Sequence, residues 1–185
     1  MAAVMESVIA FGPDQSLDSP VWICGDFAAV VERHERMVFS IAMNMLGRPS
    51  EAEDLSQEVF LQLYRHLAEI ESDSHLLHWL RRVTTNRCID HMRRNRITSV
   101  SFDSIPEPPS SDRAPDPLLP DTLRTLMATL PPAQRALLVL RYQEELGPGE
   151  IASVMGVPLS TVKSNLHRAL NSLRKKVNVS SRRVV

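Results

Sequence analysis

The fold turns on the stretch Glu150-Ile151-Ala152-Ser153-Val154-Met155-Gly156-Val157-Pro158. It reads as a short helix from about Glu150 to Met155, a tight turn, and a second helix from Pro158 to near Val177. Ala152 is small enough to let two helices approach, and Gly156 is free to take positive φ. The second helix keeps Val162, Leu166 and Leu170 on an inward stripe. Its outer face carries Ser160, Thr161, Lys163, Ser164, His167 and Arg168, donors suited to phosphates or to base edges in a major groove. Residues 159 to 185 hold seven Lys and Arg and no acid. A small helical hairpin with a solvated basic face is the plainer reading. Compact turn geometry, hydroxyl and basic side chains on one face and a local charge of +7 coincide, so the stretch is expected to be a DNA-binding helix-turn-helix.

Upstream of this motif, Leu123, Leu126, Met127 and Leu130 mark a short helix, and Pro131-Pro132 set the start of another through Leu137, Leu138 and Leu140. Residues 97 to 120 hold Pro106, Pro108, Pro109, Pro115, Pro117 and Pro120 among Ser and Asp without an apolar period, the composition of an extended acidic linker. Before it lie three longer amphipathic patterns. From Phe27, apolar side chains recur through Val30, Val31, Val38, Ile41, Ala42 and Met45 until Gly47 and Pro49 stop them. A second helix opens on Ser50-Glu51-Ala52-Glu53, the form of a capping box, with Leu55, Val59, Leu63, Leu67 and Ile70 on one face. A third runs through Leu76, Leu77, Leu80, Val83, Cys88 and Met92 to about Arg96. The expected fold class is all-α: two small helical domains joined by a Pro-rich linker, the second with the helix-turn-helix. The boundaries are an extension at 1–25, a first domain at 26–96, the linker at 97–120, a second domain at 121–178 and a tail at 179–185.

The whole chain has 185 residues and a formal net charge of −1, which by itself argues against a polyanionic partner. The average hides opposing segments. Residues 26 to 73 carry ten acids against four bases, and residues 74 to 96 carry one acid against six arginines. Two basic segments on either side of an acidic connector suggest two contacts with a polyanion, because phosphate neutralisation is local. Cys24 and Cys88 are far apart with no CxxC and no paired His, so neither a disulfide framework nor a structural zinc site is expected. No apolar run reaches the ~18 residues of a membrane span, and the start Met1 to Phe11 lacks the basic residues of a signal peptide, so a cytoplasmic protein without membrane insertion is expected. The six His are scattered and there is no Gly-rich phosphate loop, so no enzyme, cofactor or metal is expected.

The motifs then carry a family resemblance over about Phe27 to Val177. Asp54-Leu55-Ser56-Gln57-Glu58-Val59-Phe60-Leu61-Gln62-Leu63-Tyr64 resembles the second-region helix of bacterial sigma factors of the sigma-70 family. Trp79-Leu80-Arg81-Arg82-Val83, Asn86-Arg87 and Asp90-His91-Met92-Arg93-Arg94 are similar to the family's promoter-melting and minus-ten-reading helix. Leu130-Pro131-Pro132-Ala133-Gln134-Arg135, Glu150-Ile151-Ala152 and Thr161 to Ala169 resemble the fourth region, which reads the minus-thirty-five element. With two regions and no third between them, the chain resembles the extracytoplasmic-function subgroup.

The resemblance implies partners: core RNA polymerase through its β′ and β subunits, promoter DNA, and a dedicated anti-sigma protein. It places polymerase docking on Asp54, Gln57, Glu58, Leu61 and Arg65, an acidic and partly apolar face for a basic coiled coil. Minus-ten contacts fall to Arg82, Thr85, Asn86, Arg87, Arg93 and Arg94, with the Glu71 to Leu77 loop helping to hold a base flipped from the duplex. Minus-thirty-five contacts fall to Ser160, Thr161, Lys163, Ser164, His167 and Arg168. Trp79 is expected in the core rather than as a stacking platform, and Asp90 as an orienter of arginines. Two departures stand out: Gly147-Pro148-Gly149 replaces the usual Ser and aromatic, which predicts a looser helix start, and Asn165 stands where the family commonly has Arg. The rival reading is a free-standing helix-turn-helix regulator. It leaves Asp54 to Tyr64 and the third helix without a role.

Overall fold

A computed structural model describes the backbone of residues 27–101 and 121–181 and the side chains of residues 27–95 and 125–176. The extension at 1–25, most of the linker and the last four residues lie outside the described residues, as does Cys24.

The first unit holds α1 (Phe27–Leu46), α2 (Pro49–Arg65), a single 3-10 turn at Leu67–Glu69, and α3 (Asp73–Ser101). The second holds α4 (Asp121–Ala128), α5 (Pro132–Tyr142), α6 (Pro148–Met155) and α7 (Leu159–Ser181). Helix is the only regular secondary structure among the described residues, as the composition predicts.

The helix ends follow local chemistry. Gly47 takes φ 77°, a left-handed conformation open to glycine, and its N–H reaches the carbonyl of Met43. The expected capping box at Ser50 does not form. Helix α2 begins one residue earlier, at Pro49, whose fixed φ and missing N–H suit the first helical position, and Arg48 occupies the cap without a side-chain bond. Ser72 caps α3 instead: its Oγ accepts the His75 N–H at 3.1 Å. The Glu71 to Leu77 loop is therefore short, because Asp73 onward is already helical. At its other end α3 continues to Ser101, five residues past the expected stop at Arg96, since the first proline of the connector is Pro106. Its 29 residues make a rod roughly 44 Å long.

In the first unit Val38, Ile41 and Met45 of α1 meet Leu55, Val59 and Leu63 of α2 and Leu76, Leu80 and Cys88 of α3, all buried. Fully burying each of the larger aliphatic side chains contributes about 1.5–3 kcal/mol. A second cluster gathers Leu137 and Leu140 of α5, Leu146 from the connection that follows, Ile151 and Val154 of α6, and Val162 of α7.

Helix α5 joins the two. Its residues from Arg135 through Leu140 are all buried, which an amphipathic surface helix cannot achieve. Leu137 and Leu140 serve the helix-turn-helix, while Ala136, Leu138 and Val139 belong to the cluster centred on the first unit. The two units thus pack against each other, with α5 between α1 and α3 on one side and α6 and α7 on the other.

Candidate nucleic-acid and protein interfaces

The turn before α7 forms as the sequence requires. Gly156 closes α6 at φ 64°, ψ 35°, and the N–H groups of Gly156 and Val157 return to the carbonyls of Ser153 and Ala152. A Cβ at Gly156 would meet no atom within 4 Å, so only the backbone resists substitution. Gly156→Ala should therefore cost about 1–2 kcal/mol in urea unfolding, and Gly156→Asn distinctly less. Equal costs for the two would show that φ is not the reason. The start of α6 is also firmer than its Gly-Pro-Gly sequence suggests: Glu150 Oε2 accepts the Gly147 N–H at 2.7 Å, supplying the cap itself.

On α7, Ser160, Lys163, Ser164, His167 and Arg168 are exposed and Thr161 is half-buried. Their spacing of three and four residues lines them along one face. Ser164 Oγ donates to the Thr161 carbonyl at 3.1 Å, and Asn171 and His167 pair at 2.8 Å. The inward stripe differs from expectation at one place. Leu170 is 38% exposed, and Ala169 is fully buried in its stead.

On α3, Arg82, Asn86, Arg87, Arg93 and Arg94 are exposed on one side of the rod. Thr85 is not among them. It precedes Cys88 by three residues and Ile89 by four and shares their buried stripe, at 1% exposure. Its hydroxyl finds no hydrogen-bond partner among the described residues. The expected DNA contact from Thr85 is thus corrected: its side chain faces the core. Arg87 is held by the neighbouring helix, donating to Gln62 Oε1 from Nε and Nη2, with Glu58 4.0 Å away. Asp90 pairs with Arg93 at 3.8 Å, in keeping with an orienting role. Trp79 is half-buried against the core beside the His66 ring, as expected of a packing residue. Cys88 is fully buried, and burial pushes its thiol up to about 12.

On α2, Asp54, Gln57, Glu58, Leu61 and Arg65 are all exposed. Leu61 is 45% exposed amid these charges, and Tyr64, absent from the expected site, stands beside it at 43% with its ring edge-on to Phe27. The signal was available: Tyr64 follows the exposed Leu61 by three and the exposed Gln57 by seven, so it belongs to the same outer surface as the acidic residues.

A helix-turn-helix with a donor-lined face, packed against a second helical unit that pairs an arginine-lined rod with an acidic, partly apolar helix, is the build of a DNA-binding protein. Comparison with known proteins narrows the class. Residues 30–97 match the model of Sigma-70 region 2, and residues 121–173 that of Sigma-70, region 4. The ECF RNA polymerase sigma factor SigW of Bacillus subtilis (strain 168) is 28% identical, the match covering 82% of this chain and 88% of that protein. The RNA polymerase sigma-E factor of Streptomyces coelicolor is 30% identical over 82% of this chain and 86% of its own length. Among solved structures, the sigma factor RpoE in complex with the anti-sigma factor NepR from Bartonella quintana superposes with a TM-score of 0.64 at 23% identity, covering 83% of this chain and 98% of that one. This chain belongs to the extracytoplasmic-function subgroup of the sigma-70 family of RNA polymerase sigma factors.

Proposed function

We propose that this protein binds core RNA polymerase in the cytoplasm, directs it to promoters with a minus-ten and a minus-thirty-five element, and assists strand opening, without a catalytic step of its own. One observation carries the reading: regions 2 and 4 occur in order, and each presents a polar face of the expected chemistry to solvent. The acidic and apolar face of α2 docks on the β′ subunit, and the second unit approaches β. The α7 face reads the minus-thirty-five element. The α3 face, with Arg82, Asn86, Arg87, Arg93 and Arg94, holds the minus-ten DNA, where a captured base offsets part of the few kcal/mol needed to unstack a step. An anti-sigma protein is the expected regulator; the sigma factor RpoE from Bartonella quintana, similar in fold, has been solved in complex with the anti-sigma factor NepR.

The test is run-off transcription with purified core polymerase on a promoter library, with and without this protein. Promoter-specific transcripts that require the protein are expected. Tight DNA binding by the chain alone, with no redirection of polymerase, would favour the free-standing regulator instead. Glu58→Lys reverses a charge at the centre of the docking face and should weaken core binding about tenfold in a competition assay, with the loss shrinking at high salt. Normal affinity for that variant would move the contact off α2.

A further inference from the structure

Leu159 is an apolar side chain on a surface otherwise built of hydroxyls and bases. It is the first residue of α7 and is 43% exposed. The apolar residues around it in sequence all turn inward: Val162 is fully buried in the helix-turn-helix cluster, and Val157 and Leu166 pack against that cluster. Among the described residues, Leu159 belongs to neither hydrophobic cluster. Helical spacing sets it beside Lys163, four residues on, and next to Ser160 in the chain, and both of these are exposed.

The turn that carries Leu159 is firmly placed. The Pro158 carbonyl accepts the N–H groups of Thr161 at 2.9 Å and Val162 at 3.1 Å, and the buried Val162 anchors the turn from below. In a helix-turn-helix, the leading residues of the second helix are the ones that reach base edges in the major groove. A leucine there has no hydrogen bond to offer, and a phosphate has no apolar surface to receive it. The methyl group that a base pair presents in the major groove is the C5-methyl of thymine, and an apolar side chain is its natural contact. Single exposed leucines are ordinary on protein surfaces, so location decides. Leu170 is 38% exposed on the same helix but lies eleven residues further on, roughly 16 Å along the axis, beyond reach of the same base.

We propose that Leu159 is a specificity-determining residue of the minus-thirty-five contact: its side chain packs on the C5-methyl of one thymine and so selects that base over those without the methyl. The proposal rests on the promoter-reading function above. It divides the labour on α7. Lys163 and Arg168 supply charge that holds any sequence, and the hydroxyls position the helix on the backbone. Leu159 adds discrimination, because an uncharged methyl contact is gained only where a thymine stands.

The test uses holoenzyme assembled from core polymerase and the full chain. It first selects its minus-thirty-five element from duplexes randomised over that stretch. Each thymine of the selected element, on either strand, is then replaced singly by uracil, which deletes the methyl and leaves base pairing intact. At one position the uracil duplex should bind the wild type about fourfold more weakly, the worth of one buried methyl group. The ratio should hold across a salt series, since no charge is removed. Leu159→Ala should bind the thymine and uracil duplexes equally there, and Leu170→Ala should keep the wild-type ratio. Equal binding of thymine and uracil by the wild type at every position overturns the proposal without recourse to any variant, as does a selected element with no A·T pair. A preference that survives Leu159→Ala, or one that Leu170→Ala abolishes as well, also overturns it. A holoenzyme that selects no element overturns the promoter reading and the leucine contact with it, an outcome distinct from a selected element indifferent to the methyl.

Discussion

Arg135→Ala is expected to lower the free energy of unfolding by about 3–5 kcal/mol, the largest loss for any single side chain considered. The guanidinium is only 6% exposed and donates to three backbone carbonyls: Nε to Met127 at 3.0 Å, Nη2 to Ala128 and Nη1 to Met45. Burial lowers its pKa to about 10, so it is still a cation at neutral pH. The fork is what matters. Three carbonyls sit in one planar reach, and truncation to alanine strips the guanidinium donors from those of Met45 and Ala128, leaves the Met127 carbonyl with the Leu130 N–H at 3.0 Å, and opens a void. Arg135→Lys should recover little, because an ammonium cannot serve three acceptors spread around a guanidinium plane. Arg135→Met should fall between, since it fills space and removes the buried charge but still takes the guanidinium donors from the carbonyls. Urea unfolding followed by circular dichroism orders the three. A loss below ~1 kcal/mol for the alanine variant would mean water satisfies those carbonyls.

Lys163→Ala combined with Arg168→Ala should weaken minus-thirty-five binding roughly a hundredfold at ~50 mM salt. Each phosphate neutralised releases close to one counterion, giving a slope of about −0.9 in log K against log salt, so two lost contacts reduce the slope by about 1.8. The deficit therefore shrinks as salt rises and nearly vanishes near 1 M. Both residues are exposed on the outer face of α7, so the fold should be unaffected. Fluorescence anisotropy over a salt series measures both quantities. An unchanged slope would show that these side chains do not meet phosphate, and a lower affinity at constant slope would assign them to base edges instead.

Much of this architecture is written in periodicity. The stripes Val38-Ile41-Met45 and Leu55-Val59-Leu63 name their own inner faces, and all six residues are buried. Where the sequence misleads, a residue type carries the wrong hint. Thr85 looks like a donor, but its spacing to Cys88 and Ile89 outweighs its hydroxyl. Leu170 looks like core, yet Ala169 takes the inward position, because a small side chain fits where α7 comes close to its neighbours. Ser50 looks like a cap, but Pro49 starts the helix ahead of it. The exposed α2, α3 and α7 faces were legible for the same reason as the core, being the complement of apolar stripes. The packing of one unit on the other was not. It depends on pairs such as Asn44 and Gln143, 99 positions apart, and no local pattern encodes which surface of α5 finds a second partner.

The all-round burial of α5 also bears on how such a chain can diverge. From Arg135 to Leu140 the helix has no position that faces only water, so each substitution there must suit one hydrophobic cluster or the other, and at Arg135 the backbone carbonyls of both units. On the outer face of α7 the opposite holds, since Lys163, Ser164, His167 and Arg168 support no core. Descendants of this sequence can change that outer face, proposed above to read DNA, at little cost to folding, while the helix beneath admits few alterations.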